Sequence, residues 1–209
     1  NFFTADGNSV IDQITFSSNG SVWDESYIRD VVQMVGDSAD NSLADRPGNN
    51  VVMGLAGNDG IWAYAGGNDV LFGGQGNDII LDEFGNDNLY GEEGDDTLYG
   101  GAGNDILAGG DNDDLAFGGT GNDLLVGDDG NDTLNAGAGD DLSFGDAGDD
   151  RFISGTGNDT LNGSQGGDTL FGGAGNDRIV ADGYYGVGSD PDEVDGGDDV
   201  DTLVLAGNR

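Results

Sequence analysis

Cysteine, histidine and lysine are all missing from this chain of 209 residues, and its only cationic side chains are five arginines. Each absence removes a class of chemistry. Without Cys there is no disulfide, thiolate nucleophile or sulfur-rich metal site, and the redox compartment goes unmarked. Without His there is no Ser/His/Asp relay, no imidazole ligand and no switch near neutral pH. Without Lys there is no Walker-type phosphate loop and no Schiff-base chemistry. No apolar run approaches the roughly 18 residues of a membrane-spanning helix, so no membrane span is expected. The start Asn1-Phe2-Phe3 lacks the charge of a signal-peptide n-region, and the chain is expected to be part of a larger parent protein.

The sequence is rich in acid and glycine. It holds 42 acidic residues and 43 Gly, for a formal net charge of -37, which repels nucleic acid and anionic lipid. Only five of the acids are Glu and 37 are Asp, so the charge sits on short stems close to the backbone. The first 53 residues carry four Gly and a net charge of -6, and the remaining 156 carry 39 Gly and -31. Such charge with so little apolar surface ordinarily leaves a chain disordered, so a folded state needs something to neutralise it.

From Gly54 the chain falls into blocks of nine, as in Gly73-Gly-Gln-Gly-Asn-Asp-Ile-Ile-Leu81, Gly100-Gly-Ala-Gly-Asn-Asp-Ile-Leu-Ala108 and Gly118-Gly-Thr-Gly-Asn-Asp-Leu-Leu-Val126. With one extra residue at Ala63, the frame runs unbroken to Val180. Its sixth position is Asp throughout: Asp59, Asp69, Asp78, Asp87, Asp96, Asp105, Asp114, Asp123, Asp132, Asp141, Asp150, Asp159, Asp168 and Asp177. Weaker copies place Asn41 and Asn50 before the run and Asp192 and Asp201 after it, beyond a break at Ala181-Asp-Gly-Tyr-Tyr-Gly186. The eighth position is mostly Leu or Ile, with Phe at 152 and the departures Ala116 and Ser143; Asn112 takes the place of Gly at a fourth position and Gly167 that of Asn at a fifth.

A short period of this kind marks a solenoid. Glycine turns alternating with a three-residue strand, apolar in the middle, predict one turn and one strand per nonapeptide. Two nonapeptides then make an 18-residue coil that stacks on the next at about the 4.8 Å strand spacing. The expected fold is all-β, a right-handed parallel roll of two sheets. Gly at the first, second and fourth positions is expected to supply positive φ and close backbone approach. Alternate repeats stack on opposite flanks, so the Asp residues form two columns, one from Asp59 to Asp168 and one from Asp69 to Asp177.

Like charges about 5 Å apart repel by several kcal/mol at an effective dielectric of 20 or less. A hard divalent cation between successive rungs turns that repulsion into ligation, with glycine-turn carbonyls completing an oxygen-only shell. Flexible oxygen coordination of high number is calcium chemistry; magnesium wants a stricter octahedron, and zinc wants nitrogen or sulfur. Six gaps in each of two columns of seven give about 12 calcium sites.

The blocks resemble the calcium-binding nonapeptide of the repeats-in-toxin (RTX) proteins, the haemolysin-type domain, with its pattern Gly-Gly-x-Gly-x-Asp-x-apolar-x. The resemblance implies a calcium-loaded β-roll of bacterial proteins exported by type I secretion, unfolded in the calcium-poor cytosol and folded outside. It implies ligation by the sixth-position Asp set, by turn residues such as Gly73, Gly100, Gly118, Asn77, Asn104 and Asn122, and by Asp192 and Asp201 at the end.

Three segments are expected: a cap over residues 1–35, the roll over 36–180 and interrupted final repeats over 181–209. In the cap, two strands flank the turn Ser18-Asn19-Gly20, and Asp24 caps a helix with Ile28, Val31, Val32 and Val35 on one apolar face. The adjacent carboxylates Asp95-Asp96, Asp113-Asp114, Asp140-Asp141 and Asp149-Asp150 read as Asp in the repeat's Asn position, not as acid/base pairs. The expectation is therefore a non-enzymatic calcium-binding module. Two alternatives are an adhesive module holding a polysaccharide or protein on its ninth-position face (Trp62, Phe72, Tyr90, Tyr99, Phe117), and the C-terminal part of a secreted enzyme whose catalytic domain lies elsewhere. An ice-binding face is disfavoured, because the third positions range from Ala56 and Phe84 to Glu93 and Thr120 and form no uniform row.

Overall fold

A computed structural model describes residues 13–15, 22–24, 34–182 and 192–206. A short antiparallel pair, β1 (Gln13–Thr15) and β2 (Val22–Asp24), stands at the N-terminal side. All later strands run parallel and sort by parity. The even strands, β4 (Ser42–Ala44) through β20 (Glu193–Asp198), make a nine-stranded sheet, and the odd strands, β3 (Met34–Val35) through β21 (Thr202–Ala206), a ten-stranded one. The chain alternates between the sheets and returns to each one rung further along, the two-sheet roll that the nonapeptide period predicts. Thr97 pairs with Leu115, Leu115 with Thr133, Thr133 with Arg151 and Arg151 with Thr169, a constant step of 18 residues.

Two insertions are absorbed without loss of register. The extra residue near Ala63 stretches one coil, so that Gly60 pairs with Ile79. The break after Val180 is longer, yet Thr169 pairs with Glu193 and Arg178 with Thr202. The ladder resumes where the side chains fit, not at a fixed sequence distance.

The repeat's strands are longer than three residues. Most run six, from the seventh position through the third position of the next repeat, as in β10 (Thr97–Ala102) and β13 (Leu124–Asp129). The glycine pair is thus part of the ladder, a continuation hidden in the sequence because glycine carries no strand propensity. Burial alternates along the strands from β5 to β19, with the eighth- and first-position residues inside. Val52, Ile61, Leu71, Ile80, Leu89, Leu98, Leu107, Leu125, Leu134, Phe152, Leu161, Leu170 and Ile179 form a single apolar file shared by the sheets, and Ala116 and Ser143 are buried in line with it. With about one core side chain per nonapeptide, apolar burial alone is a thin basis for holding the fold.

The φ angles divide the glycines by role. Second- and fourth-position residues have positive φ, for example Gly101 (93°) and Gly103 (148°), but first-position glycines such as Gly100 and Gly118 do not. The expectation of positive φ at the first position is corrected; glycine is needed there for space. Asn112 adopts the left-handed conformation of the Gly it replaces, at φ 84°. Asp24 is the last residue of β2, and Val35, expected on a helix, lies in β3. Ile28, Val31, Val32 and the turn Ser18-Asn19-Gly20 lie outside the described residues. Among the described residues no helix is long and apolar enough to cross a membrane.

Candidate metal centres

The sixth-position Asp residues are buried, from 0% exposed at Asp87 to 4% at Asp114 and Asp141. Each uses one carboxylate oxygen to cap the rung below. The N–H of Asp96 donates to Asp114 Oδ1 (2.7 Å), that of Asp114 to Asp132 Oδ1 (2.8 Å) and that of Asp132 to Asp150 Oδ1 (2.9 Å). The other column repeats this from Asp105 to Asp123, Asp141 and Asp159. The N–H groups of Asp168 and Asp177 donate to Asp192 Oδ1 and Asp201 Oδ1, each at 3.0 Å, so the two residues past the break extend the two columns by a rung each.

A second ladder runs the opposite way on the exposed turns. There the fifth-position side chain accepts from the backbone one coil later: Asn104 N–H donates to Asn86 Oδ1 and Asn122 N–H to Asn104 Oδ1, both at 2.7 Å. Asn77 Oδ1 likewise receives the N–H of Asp95. Where Asp replaces Asn the ladder is unchanged, since Asp140 Oδ1 receives Asn158 N–H at 2.8 Å and Asp149 Oδ1 receives Gly167 N–H at 2.8 Å. These adjacent carboxylate pairs thus point different ways, one side chain to the surface turn and one into the buried column.

The second oxygen of the buried carboxylates is left without a partner. Oδ2 of every sixth-position Asp from Asp59 to Asp159, and of Asp177, is buried with no hydrogen-bond partner. An ionised oxygen left so costs several kcal/mol unless it is paired. Where the first position is glycine, Oδ2 lies against it, and in most of those coils a backbone carbonyl from the next coil converges there. A Cβ built on Gly100 would lie 2.7 Å from Asp105 Oδ2 and 2.9 Å from the Gly118 carbonyl oxygen; on Gly118 it would meet Asp123 Oδ2 at 2.5 Å and the Ala136 carbonyl oxygen at 2.6 Å. In those coils glycine keeps a side-chain-free cradle walled by oxygen, the donor set of a hard cation, whereas Ala136 and Ser154 place small buried side chains at the same position.

The electrostatics agree. Burial, aided by neighbouring carboxylates, raises Asp114 to about 8, Asp96, Asp105 and Asp150 to about 7, and Asp78, Asp123, Asp132 and Asp159 to about 6. Hydrogen bonds from the backbone below oppose these rises without cancelling them. Without a cation beside it Asp114 resists ionising at neutral pH, and Asp96, Asp105 and Asp150 are only about half ionised there; a bound cation reverses that preference.

One carboxylate escaped the sequence reading. Asp82, in a first position, is 2% exposed, and its ligand oxygen lies within 4.8 Å of those of Asp69 and Asp87. Its signal was present as an Asp where the frame has Gly, but it is hidden in a chain of 37 Asp.

A parallel roll with two internal columns of cation-ready carboxylates defines a calcium-binding repeat module. The chain matches the family described as the RTX calcium-binding nonapeptide repeat over residues 35–66, 65–81, 82–116, 108–143, 117–152 and 153–183, and it belongs to that family. No curated protein matches it as a relative.

Proposed function

We propose that this chain is a calcium-triggered folding module: disordered where calcium is scarce, it becomes the roll where calcium is plentiful, and so serves type I secretion and extracellular support of a larger bacterial protein. The observation that carries this reading is the row of buried, unpartnered Oδ2 atoms, because a fold that strands so many carboxylate oxygens is stable only with cations beside them. Binding free energy then becomes folding free energy, since the cradle exists only in stacked coils. The sixth-position Asp residues supply Oδ2, and first-position carbonyls such as those of Gly73, Gly100 and Gly118 supply the opposing oxygen. The carbonyls of Asn77, Asn104 and Asn122 are further candidates, their side chains being used by the surface ladder. With Asp192 and Asp201 the columns gain a rung each, which raises the stacking count from about 12 ions to about 14.

The bound calcium supplies charge neutralisation and no reaction step, and the activity of the parent protein is assigned to segments outside the roll. The aromatics of the ninth position support a sheet role. Phe72 stacks on Tyr90 at 5.0 Å and Tyr99 on Phe117 at 4.7 Å between ring centroids, so their faces are turned to each other along the ladder. Circular dichroism of calcium-stripped protein should show mostly coil, with sheet appearing cooperatively at roughly 0.1 to 1 mM calcium, the range of extracellular modules. An equally sheet-rich spectrum without calcium would refute the proposal.

A further inference from the structure

The regular cradle offers two carboxylates at most, but one rung departs from it. Along the first-position row of the Asp69 column, glycine is replaced near the N-terminal end: Ala63 pairs with Asp82 in the sheet ladder, and Gly100 follows on the next rung. Asp82 closes β8 (Ile79–Asp82). Its Oδ1 accepts the N–H groups of Glu83 (2.7 Å) and Phe84 (3.2 Å), a local turn that fixes the side chain inward. Its Oδ2 is buried and receives no hydrogen bond, as is true of Asp69 Oδ2 and Asp87 Oδ2. Among the described residues these are the only three carboxylates whose ligand atoms gather within 4.8 Å.

Asp82 also redirects its neighbour. Where the first position is glycine, Oδ2 lies against it, as Asp105 does on Gly100; Asp87 instead sets both carboxylate oxygens against the fourth-position Gly85, at 2.5 and 2.6 Å from a Cβ built there. The rung thus holds an extra buried carboxylate, while Asp87 Oδ1 keeps its regular cap on the Asp69 N–H at 2.7 Å.

We infer that Asp69, Asp82 and Asp87 form a distinct three-carboxylate calcium site that fills before the regular rungs and starts the roll from its N-terminal side. This rests on the calcium reading above. Ligand charge count is a principal control of calcium affinity in oxygen sites, and in a nearest-neighbour array the tightest interface is where ordered coils first persist.

The experiment is calorimetric titration of the calcium-stripped whole chain with calcium chloride, followed in parallel by circular dichroism, for wild type, Asp82→Gly and Asp82→Asn. Glycine restores the usual first-position residue; asparagine keeps the size and the turn acceptor but not the charge. The wild type should show a first stage of about one ion at lower calcium than the rest. Both variants should need roughly tenfold more calcium for that stage, and reach the wild-type spectrum at saturation. An unchanged first stage in both variants, with calcium-driven folding intact, overturns the three-carboxylate site and leaves the general reading standing. A first stage lost in Asp82→Asn but kept in Asp82→Gly traces the effect to a misfitting amide and also overturns it. A wild type that binds no calcium overturns both readings.

Discussion

At the scale of single residues, the repeat assigns glycine two different duties, which substitutions can separate. Gly119, in the second position, has φ 113°, so an added Cβ costs about 1 to 2 kcal/mol of backbone strain. Gly118, in the first position, has no such constraint, but its Cβ would intrude between Asp123 Oδ2 and the Ala136 carbonyl. Ala136 itself, one rung further, is fully buried at an equivalent place, so the intrusion is accommodated by displacement and not by unfolding. Gly118→Ala should therefore raise the calcium midpoint several-fold and leave the saturated circular dichroism spectrum unchanged. Gly119→Ala should lower the thermal midpoint of the calcium-loaded protein as well. A Gly118→Ala titration that overlays the wild type would remove the cradle from the metal site.

At the scale of strands and rungs, each Asp links two coils, and its value depends on how many rungs it joins. Asp114 caps Asp96 below and donates its own N–H to Asp132 above; Asp201 caps Asp177 from the half-buried end of the array. Asp114→Ala removes a link in mid-array, where coils must stack for order to propagate, whereas Asp201→Ala frays one end. Calcium titration by circular dichroism should show a clear rise in midpoint for the first and little change for the second. Equal shifts would mean that the rungs are independent.

The two sheets, the file of eighth-position side chains and the paired Asp columns were legible in the sequence, because a nine-residue period with one apolar and one acidic position leaves few ways to stack. Three features were not. The strands run through the glycine pair, where propensity is silent. The register across residues 181–191 is the second, although Asp192 and Asp201 beyond it read as weaker copies, because it is kept by Thr169 with Glu193 and by Asp201 capping Asp177, neither of which counts sequence distance. The third is Asp82, whose side chain is informative only once the backbone shows that a first-position residue faces inward.

At the scale of the whole molecule, the buried columns make protons and calcium rivals for the same oxygens. A carboxylate whose folded value lies above its ordinary 3.8, as Asp96 and Asp114 do at about 7 and 8, favours the fold when protonated. Its contribution is fully present below the unfolded value and is lost as pH rises through the folded value. For the calcium-free chain this means loss of the roll between about pH 6 and pH 8, and partial recovery of sheet on acidification toward about pH 5. With calcium the sign reverses, because ligands must shed protons before they bind, so the calcium midpoint should rise as pH falls from about 8 to about 5. Calcium-stripped protein titrated at both ends of that window, without chelator, tests the two signs together. A coil spectrum that is unmoved by acid, with a calcium midpoint independent of pH, would mean that the columns titrate as ordinary surface carboxylates and that their burial does not govern folding.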